Sequence, residues 1–243
     1  MRDHNVYQPL NTLKSIVDNV WIVDGPLIRF GFGPFNMPFP TRMTVVRAGD
    51  DLFVHSPTAL TPDLKAQIDA VGRVRWLIGP NRLHYWWLPD WRAAYPDAGV
   101  WIAPEIRKQA NGRIDFPTHL LEARDGYPWD GALRTLPIVS RFMTEAVFFH
   151  TSSRTLILTD LIENFEPDHV RSWGMRLLVR LGAADGFMPR DMRATFGPYK
   201  PALRRAIETL IGWGPERILL AHGRWYEREG TAELRRAFGW LLE

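Results

Sequence analysis

The sequence predicts an α/β protein. Its first third is a series of β-branched and aromatic runs separated by turn residues, and the stretch from 61 to 103 then alternates strand with helix. Late in the chain, RILLAHG (217–223) is a last strand candidate followed by a helical pattern. Strands joined by helical crossovers place helices on the face of a sheet.

The early strand candidates are VWIV (20–23), LIRFGF (27–32), MTVVRA (43–48) and LFVH (52–55), divided by Gly, Pro and Asp. AGDD at 48–51 fits a tight hairpin turn between the last two. TPDLKAQIDAVG begins a helix, with Thr61 as its cap, Pro62 at its first position and Leu64, Ile68 and Val71 on one face. VRWLIG (74–79) returns to strand, a short helix is expected around 88–95, and GVWIA (99–103) is strand again. ALRTLPIV (132–139), EAVFFH (145–150) and RTLILTD (154–160) form a meander, with TSS as a turn. After Asp160 the pattern becomes helical. One helix is expected over 167–181, with Trp173, Leu177 and Leu181 as its apolar stripe. PALRRAIETLIGWG (201–214) is another, stopped by glycine, and TAELRRAFGWLL (231–242) follows the last strand. No linker, repeat or low-complexity tract breaks this order. Residues 1–243 are therefore expected to form one domain, with a helical insertion at about 165–212.

With 46% apolar and 23% charged residues, the composition is that of an ordinary globular protein. No window reaches ~18 consecutive apolar residues, so no transmembrane segment is expected. The N-terminal MRDHNVYQPLNTLKS lacks a hydrophobic segment for secretion, which points to the cytoplasm. The net charge of +3 is small, and the arginines, densest between Arg171 and Arg205, suit a solvated helical face. Without a concentrated basic face, no nucleic-acid partner is expected. Eleven tryptophans, several of them near tyrosines at 85–101, fit either a thick core or an aromatic-lined cleft. Cysteine is absent, so any metal must be held by histidine and carboxylate rather than by thiolate.

Sites in α/β folds lie just beyond the carboxyl ends of strands. His55, His84, Asp160 and His222 each occupy such a position, on four different strands. If those strands run the same way, the four side chains emerge along one rim. Glu145, at the start of the strand that pairs with the one ending at Asp160, falls level with that aspartate, whereas His150 sits at the far end of the hairpin. Two histidines with one or two carboxylates suit zinc, iron or manganese. The other histidines carry less: His4 is terminal, His119 lies in a Pro-rich loop, and His169 is expected to begin a surface helix.

Three segments give the chain a family likeness. DDLFVHSP, followed by an amphipathic helix and VRWLIGPN, resembles the opening hairpin, helix and ligand-loop strand of the metallo-β-lactamase-like hydrolase superfamily. SSRTLILTDLI is similar to the hairpin strand that delivers the superfamily's metal-bridging aspartate, here Asp160. ERILLAHGRWY is similar to the closing strand with the last ligand histidine, here His222. The chain also resembles an uncharacterised bacterial branch whose loop reads Pro-Asn-x-x-His. The resemblance implies a four-layer αββα sandwich and a metal-dependent hydrolase of small-molecule esters, thioesters or related bonds.

The ligand loop departs from the superfamily's His-x-His-x-Asp-His. Here it reads PNRLHYWW, with Asn81, Leu83, Tyr85 and Trp86 at the four ligand positions and His84 out of register. SRFMTE stands where a further histidine is usual, with Glu145 as the nearest acid, and VHSP replaces an Ile-Asp-Thr-Gly-like turn, placing His55 at its aspartate. The usual two-metal ligand set is therefore not available.

Two readings follow. In one, His84, Glu145, Asp160 and His222 rebuild a site for a single metal, zinc or alternatively iron or manganese, with His55 in support. Such an ion polarises a substrate oxygen and lowers the pKa of water from ~16 to roughly 7, with Glu145 or Asp160 as proton acceptor. In the other, the fold persists without metal, as a binding module for a small molecule or protein. Asp160 would then cap a following helix, His222 would bond to backbone, and His84 would stack on Trp86 or Trp87. Tyr85, Trp86 and Trp87 either fill the space of lost ligands or line a pocket for an acyl or aromatic substrate. The insertion, with GFMPRDMR as its mobile part, suits a lid, a dimer surface or a peripheral membrane face.

Overall fold

The structure, a computed structural model, describes residues 6–32, 35–166 and 186–243. Two sheets face each other. The larger has seven strands in sequence order: β1 (Lys14–Val17), β2 (Val20–Phe32), β3 (Phe35–Ala48), β4 (Asp51–His55), β5 (Arg73–Gly79), β6 (Gly99–Ile102) and β7 (His119–Leu120). It is antiparallel from β1 to β4 and parallel from β4 to β7. The parallel steps need crossovers, and these carry α1 (Pro62–Val71), α2 (Leu88–Ala94) and α3 (Ile106–Gln109). The Thr61 hydroxyl accepts the Leu64 amide and caps α1 as expected.

The smaller sheet contains β8 (Leu133–Val139), β9 (Thr144–His150), β10 (Thr155–Leu158) and β11 (Arg217–Leu220), ordered β11-β10-β9-β8. Among the described residues, β10 and β11 pair in parallel and the other pairs of this sheet are antiparallel. The helices α4 (Arg190–Thr195), α5 (Lys200–Gly212), α6 (Gly230–Ala237) and α7 (Gly239–Leu242) belong to this half of the chain.

Alternation along each strand produces the layers. On β4, Phe53 points toward the other sheet, while Leu52 and Val54 lie under α1 and α2. On β10 and β11, Ile157 and Leu219 face inward, while Leu156, Leu158, Ile218 and Leu220 pack beneath α5 and α6. These strands are apolar on both faces, as strands covered on both sides must be. Between the sheets, Phe53 meets Trp129 and Phe148 edge to face at 5.0 and 4.9 Å, contacts worth about 0.5–1.5 kcal/mol each beyond burial. The result is helices, sheet, sheet, helices: the αββα sandwich.

Several boundaries differ from the sequence expectation. The runs at 20–23 and 27–32 are one strand, β2, whose pairing with β3 slips between Gly25 and Ile28. Pro26, which has no N–H to donate, sits in that slip, so it interrupts the ladder without ending the strand. The terminal helix is two pieces divided at Phe238. No helix starts directly after Asp160, because residues 163–165 make isolated bridges, among them Asn164 with Gly223. His119 begins β7 and stacks on Trp101 at 4.4 Å. The helix expected over 167–181, with Trp173, Leu177, Leu181 and His169, lies outside the described residues, as does His4. Among the described residues no helix is long and apolar enough to cross a membrane.

Candidate metal centre

The carboxyl ends of β4, β5, β10 and β11 lie at one rim, and the start of β9 lies there too. His84, Asp160 and His222 lie past the ends of β5, β10 and β11, His55 is the last residue of β4 and Glu145 lies at the start of β9, but the structure does not treat them alike. His84, Asp160 and His222 come together. The Nε2 of His84 lies 3.3 Å from Oδ2 of Asp160, and the Nε2 of His222 lies 3.2 Å from Oδ1 of the same carboxylate. The two Nε2 atoms are 3.2 Å apart. All three residues are buried or nearly so.

Each member is held from behind. Asn81, fully buried at the end of β5, donates from Nδ2 to Thr159 Oγ1 at 2.9 Å and to Asp160 Oδ2 at 2.5 Å. Its Oδ1 accepts the amides of Leu83 and His84, a local turn that aims His84 into the rim. The Nδ1 of His84 meets Ser56 Oγ at 2.7 Å. His222 donates from Nδ1 to the carbonyl of Pro40 at 2.7 Å, and the rings of Phe39 and Phe165 flank it at 5.5 and 6.3 Å. Gly223 follows with φ +80°; a Cβ there would stand 2.0 Å from the carbonyl oxygen of Asn164, so only glycine lets the two segments touch.

A buried arginine fixes the backbone on either side of His222. Arg42, on β3, gives Nη1 to the carbonyls of Leu220 and Gly223 at 2.8 and 2.7 Å. Its other nitrogens engage Asp24, which Lys14 also meets at 2.8 Å. The charge is thus paired as well as hydrogen-bonded, the condition for burying a guanidinium.

Glu145 and His55, expected as further ligands, stand outside the cluster of three. Both Glu145 oxygens are taken by backbone: Thr159 N–H at 2.8 Å and Asp160 N–H at 3.0 Å. Glu145 therefore fixes the main chain that carries Asp160. Burial, reinforced by the Asp160 charge, pushes its carboxyl up to about 7. His55 turns its ring against Phe148 and, among the described residues, leaves Nε2 without a hydrogen-bond partner. Burial, with His84 nearby, pushes it down to about 3. Burial also acts on Asp160, tending to raise it, but the two imidazoles outweigh this and hold the carboxyl well below the usual range. For His222, burial lowers and the Asp160 contact raises; the net direction is upward.

The aromatic run divides. Tyr85 is buried and Trp87 half-buried against the core under the helices, while Trp86 is exposed, with Arg113 stacked on it at 3.9 Å. The ring beside His84 is His222, at 5.1 Å, rather than a tryptophan.

Asn81, Ser56 and Arg42 were not singled out as supporting groups from sequence. Only Asn81 left a signal, since Asn after Gly-Pro at a strand end favours a turn in which it bonds the amides two and three residues on.

Residues 18–176 match a sequence family described as a domain of unknown function, DUF4336. The chain belongs to this family. No curated protein matches the DUF4336 chain. Solved structures do. DIM-1 metallo-β-lactamase is 9% identical with a TM-score of 0.63, over 93% of this chain and 95% of that one. FIM-1 metallo-β-lactamase from Pseudomonas aeruginosa, in its mono-zinc form, is 16% identical with a TM-score of 0.58, over 100% and 99%. Rubredoxin oxygen:oxidoreductase from Desulfovibrio gigas is 17% identical with a TM-score of 0.63, over 95% of this chain but 61% of that one. The DUF4336 chain thus has the metallo-β-lactamase fold.

Proposed function

We propose that this DUF4336 protein is a metal-dependent hydrolase acting on an ester, thioester or related bond of a small molecule, with one ion held by His84, Asp160 and His222. One observation carries the proposal. The Pro40 carbonyl can only accept, so His222 keeps a hydrogen on Nδ1 and turns Nε2 toward Asp160 and His84, as a lone pair whenever the ring is neutral. Lone pairs and a carboxylate 3.2–3.3 Å apart repel unless a proton or cation lies among them. Donors about 2.0–2.1 Å from a tetrahedral zinc are themselves about 3.3 Å apart, matching that spacing. A histidine bonded to backbone through its remote nitrogen is also the usual arrangement for a metal ligand.

Three protein ligands leave a coordination position open, the pattern of catalytic rather than structural sites. A bound ion supplies Lewis acidity, polarising a substrate oxygen and acidifying water. The chain supplies the rest. Asn81 holds Asp160 through Oδ2, Glu145 fixes the backbone under Asp160, and Phe39 and Phe165 restrict how His222 can turn. The mono-zinc form of FIM-1 is a precedent for one ion in this fold.

The test is elemental analysis of protein purified without a chelating column, before and after reloading with zinc, iron or manganese. Near-stoichiometric metal, together with turnover of one of a panel of chromogenic esters, thioesters, lactams and phosphodiesters, is expected. Traces of metal that reloading does not raise would instead favour a binding module that uses the fold without an ion.

A further inference from the structure

The two histidines of the centre are held by different kinds of group. His222 Nδ1 faces a carbonyl, which can only accept. His84 Nδ1 faces the Ser56 hydroxyl at 2.7 Å, and a hydroxyl can donate or accept. His222 therefore has one neutral tautomer available, and His84 has two. If Ser56 donates to Nδ1, the His84 hydrogen sits on Nε2 and points at Asp160 Oδ2, 3.3 Å away. If Ser56 accepts, the hydrogen sits on Nδ1, and Nε2 is a bare lone pair directed at Asp160 and His222.

The backbone of Ser56 suits this task. It lies directly after β4 with φ +51°, in the left-handed region, and its amide is bonded to the Ile78 carbonyl at 3.0 Å. The main chain is tied across to β5, and the hydroxyl comes up behind His84. A serine held in a costly conformation where glycine fits more easily is an observation pointing to a role for its side chain.

We infer that Ser56 is a positioning residue that acts through His84: its hydroxyl reverses its hydrogen bond when metal arrives, making His84 the switchable ligand and His222 the fixed one. This rests on the metal reading above. No net proton is gained or lost by the His84 ring in the reversal. The hydrogen leaves Nε2, one returns at Nδ1, and the hydroxyl changes from donor to acceptor.

The experiment uses the full chain with ¹⁵N-labelled histidine. Long-range ¹⁵N–¹H correlation spectra report which ring nitrogen carries the hydrogen, in metal-free protein and with zinc added. His84 should move from an Nε2–H to an Nδ1–H pattern on zinc binding, while His222 keeps its hydrogen on Nδ1 throughout. Zinc affinity is measured in parallel by competition with a chelating dye for wild type, Ser56→Gly and Ser56→Ala. Glycine relaxes the left-handed backbone and alanine strains it, so a loss shared by both belongs to the hydroxyl. A weakening of about 10–100-fold in both is expected, the usual effect of removing a ligand's supporting partner. An unaltered affinity in Ser56→Gly, or a His84 ring already carrying its hydrogen on Nδ1 without metal, overturns the role of Ser56 while leaving the metal site intact. Wild-type protein that binds no zinc overturns both.

Discussion

Buried histidines sit at both ends of the strand pair β9 and β10, and they differ in what surrounds them. At the far end, His150 has Nδ1 on Ser153 Oγ at 2.7 Å and Nε2 near Ser152 Oγ at 3.2 Å, both from the turn that follows it. Those hydroxyls satisfy either tautomer within three residues of chain. At the near end, His222 and His84 receive one support each, and their remaining nitrogens converge on Asp160. A buried histidine satisfied by its own turn is structural. One whose second nitrogen is aimed at another acceptor by distant chain segments is a candidate ligand.

The largest expected effect separates the two ends outright. Asp160→Ala should abolish zinc binding measured by dye competition, while Ser153→Ala leaves it unchanged. Equal loss in both variants would erase the distinction.

Arg42→Leu tests whether the near end depends on distant support. It leaves the buried Asp24 paired with Lys14 alone among the described residues and removes the guanidinium from two carbonyls beside His222. Denaturant unfolding of metal-free protein should show a loss of about 3–5 kcal/mol. A change below about 1 kcal/mol would mean that the bonds to Leu220 and Gly223 do not set the position of His222.

His55 belongs to neither arrangement, since its Nε2 has no hydrogen-bond partner among the described residues. Its folded pKa, near 3, lies below the ordinary 6.5, so between those values the unfolded chain binds more protons. The contribution of this group to stability is therefore full above pH 6.5 and falls as pH drops toward 3. The slope from this group is at most about 1.4 kcal/mol per pH unit. Chelator-treated His55→Leu should lose that part of the acid sensitivity, and an unchanged slope would assign it to other groups.

The smallest effect is at the far end. Ser153→Ala removes the hydroxyl's contacts with His150 Nδ1 and Thr155 Oγ1 and should cost about 1–2 kcal/mol in the same unfolding measurement. A cost approaching that of Arg42→Leu would show that local turns anchor the sandwich as firmly as the long-range clamp.

Much of the architecture was legible because it is periodic. Thr61-Pro62 opens α1 where the cap and proline rules place it, and the apolar runs at 74–79, 145–150 and 217–220 are strands. Their direction put His84, Asp160 and His222 at one rim. Level placement did not reveal orientation, however. Glu145 falls beside Asp160 in register, yet its oxygens turn to the backbone at 159 and 160. His55 ends β4 at the right height, but its ring lies against Phe148.

The amino-acid order alone determined the alternation of strand and helix, the absence of thiolate ligands and the few histidines and acids that strand direction could bring together, because these follow from period, turn chemistry and residue type. Only tertiary structure decided what each imidazole nitrogen faces, through contacts such as Pro40 with His222 and Ser56 with His84, 182 and 28 positions apart. A tautomer is set by the partner on the other side of the ring, and that partner arrives from segments whose spacing along the chain carries no record of the meeting.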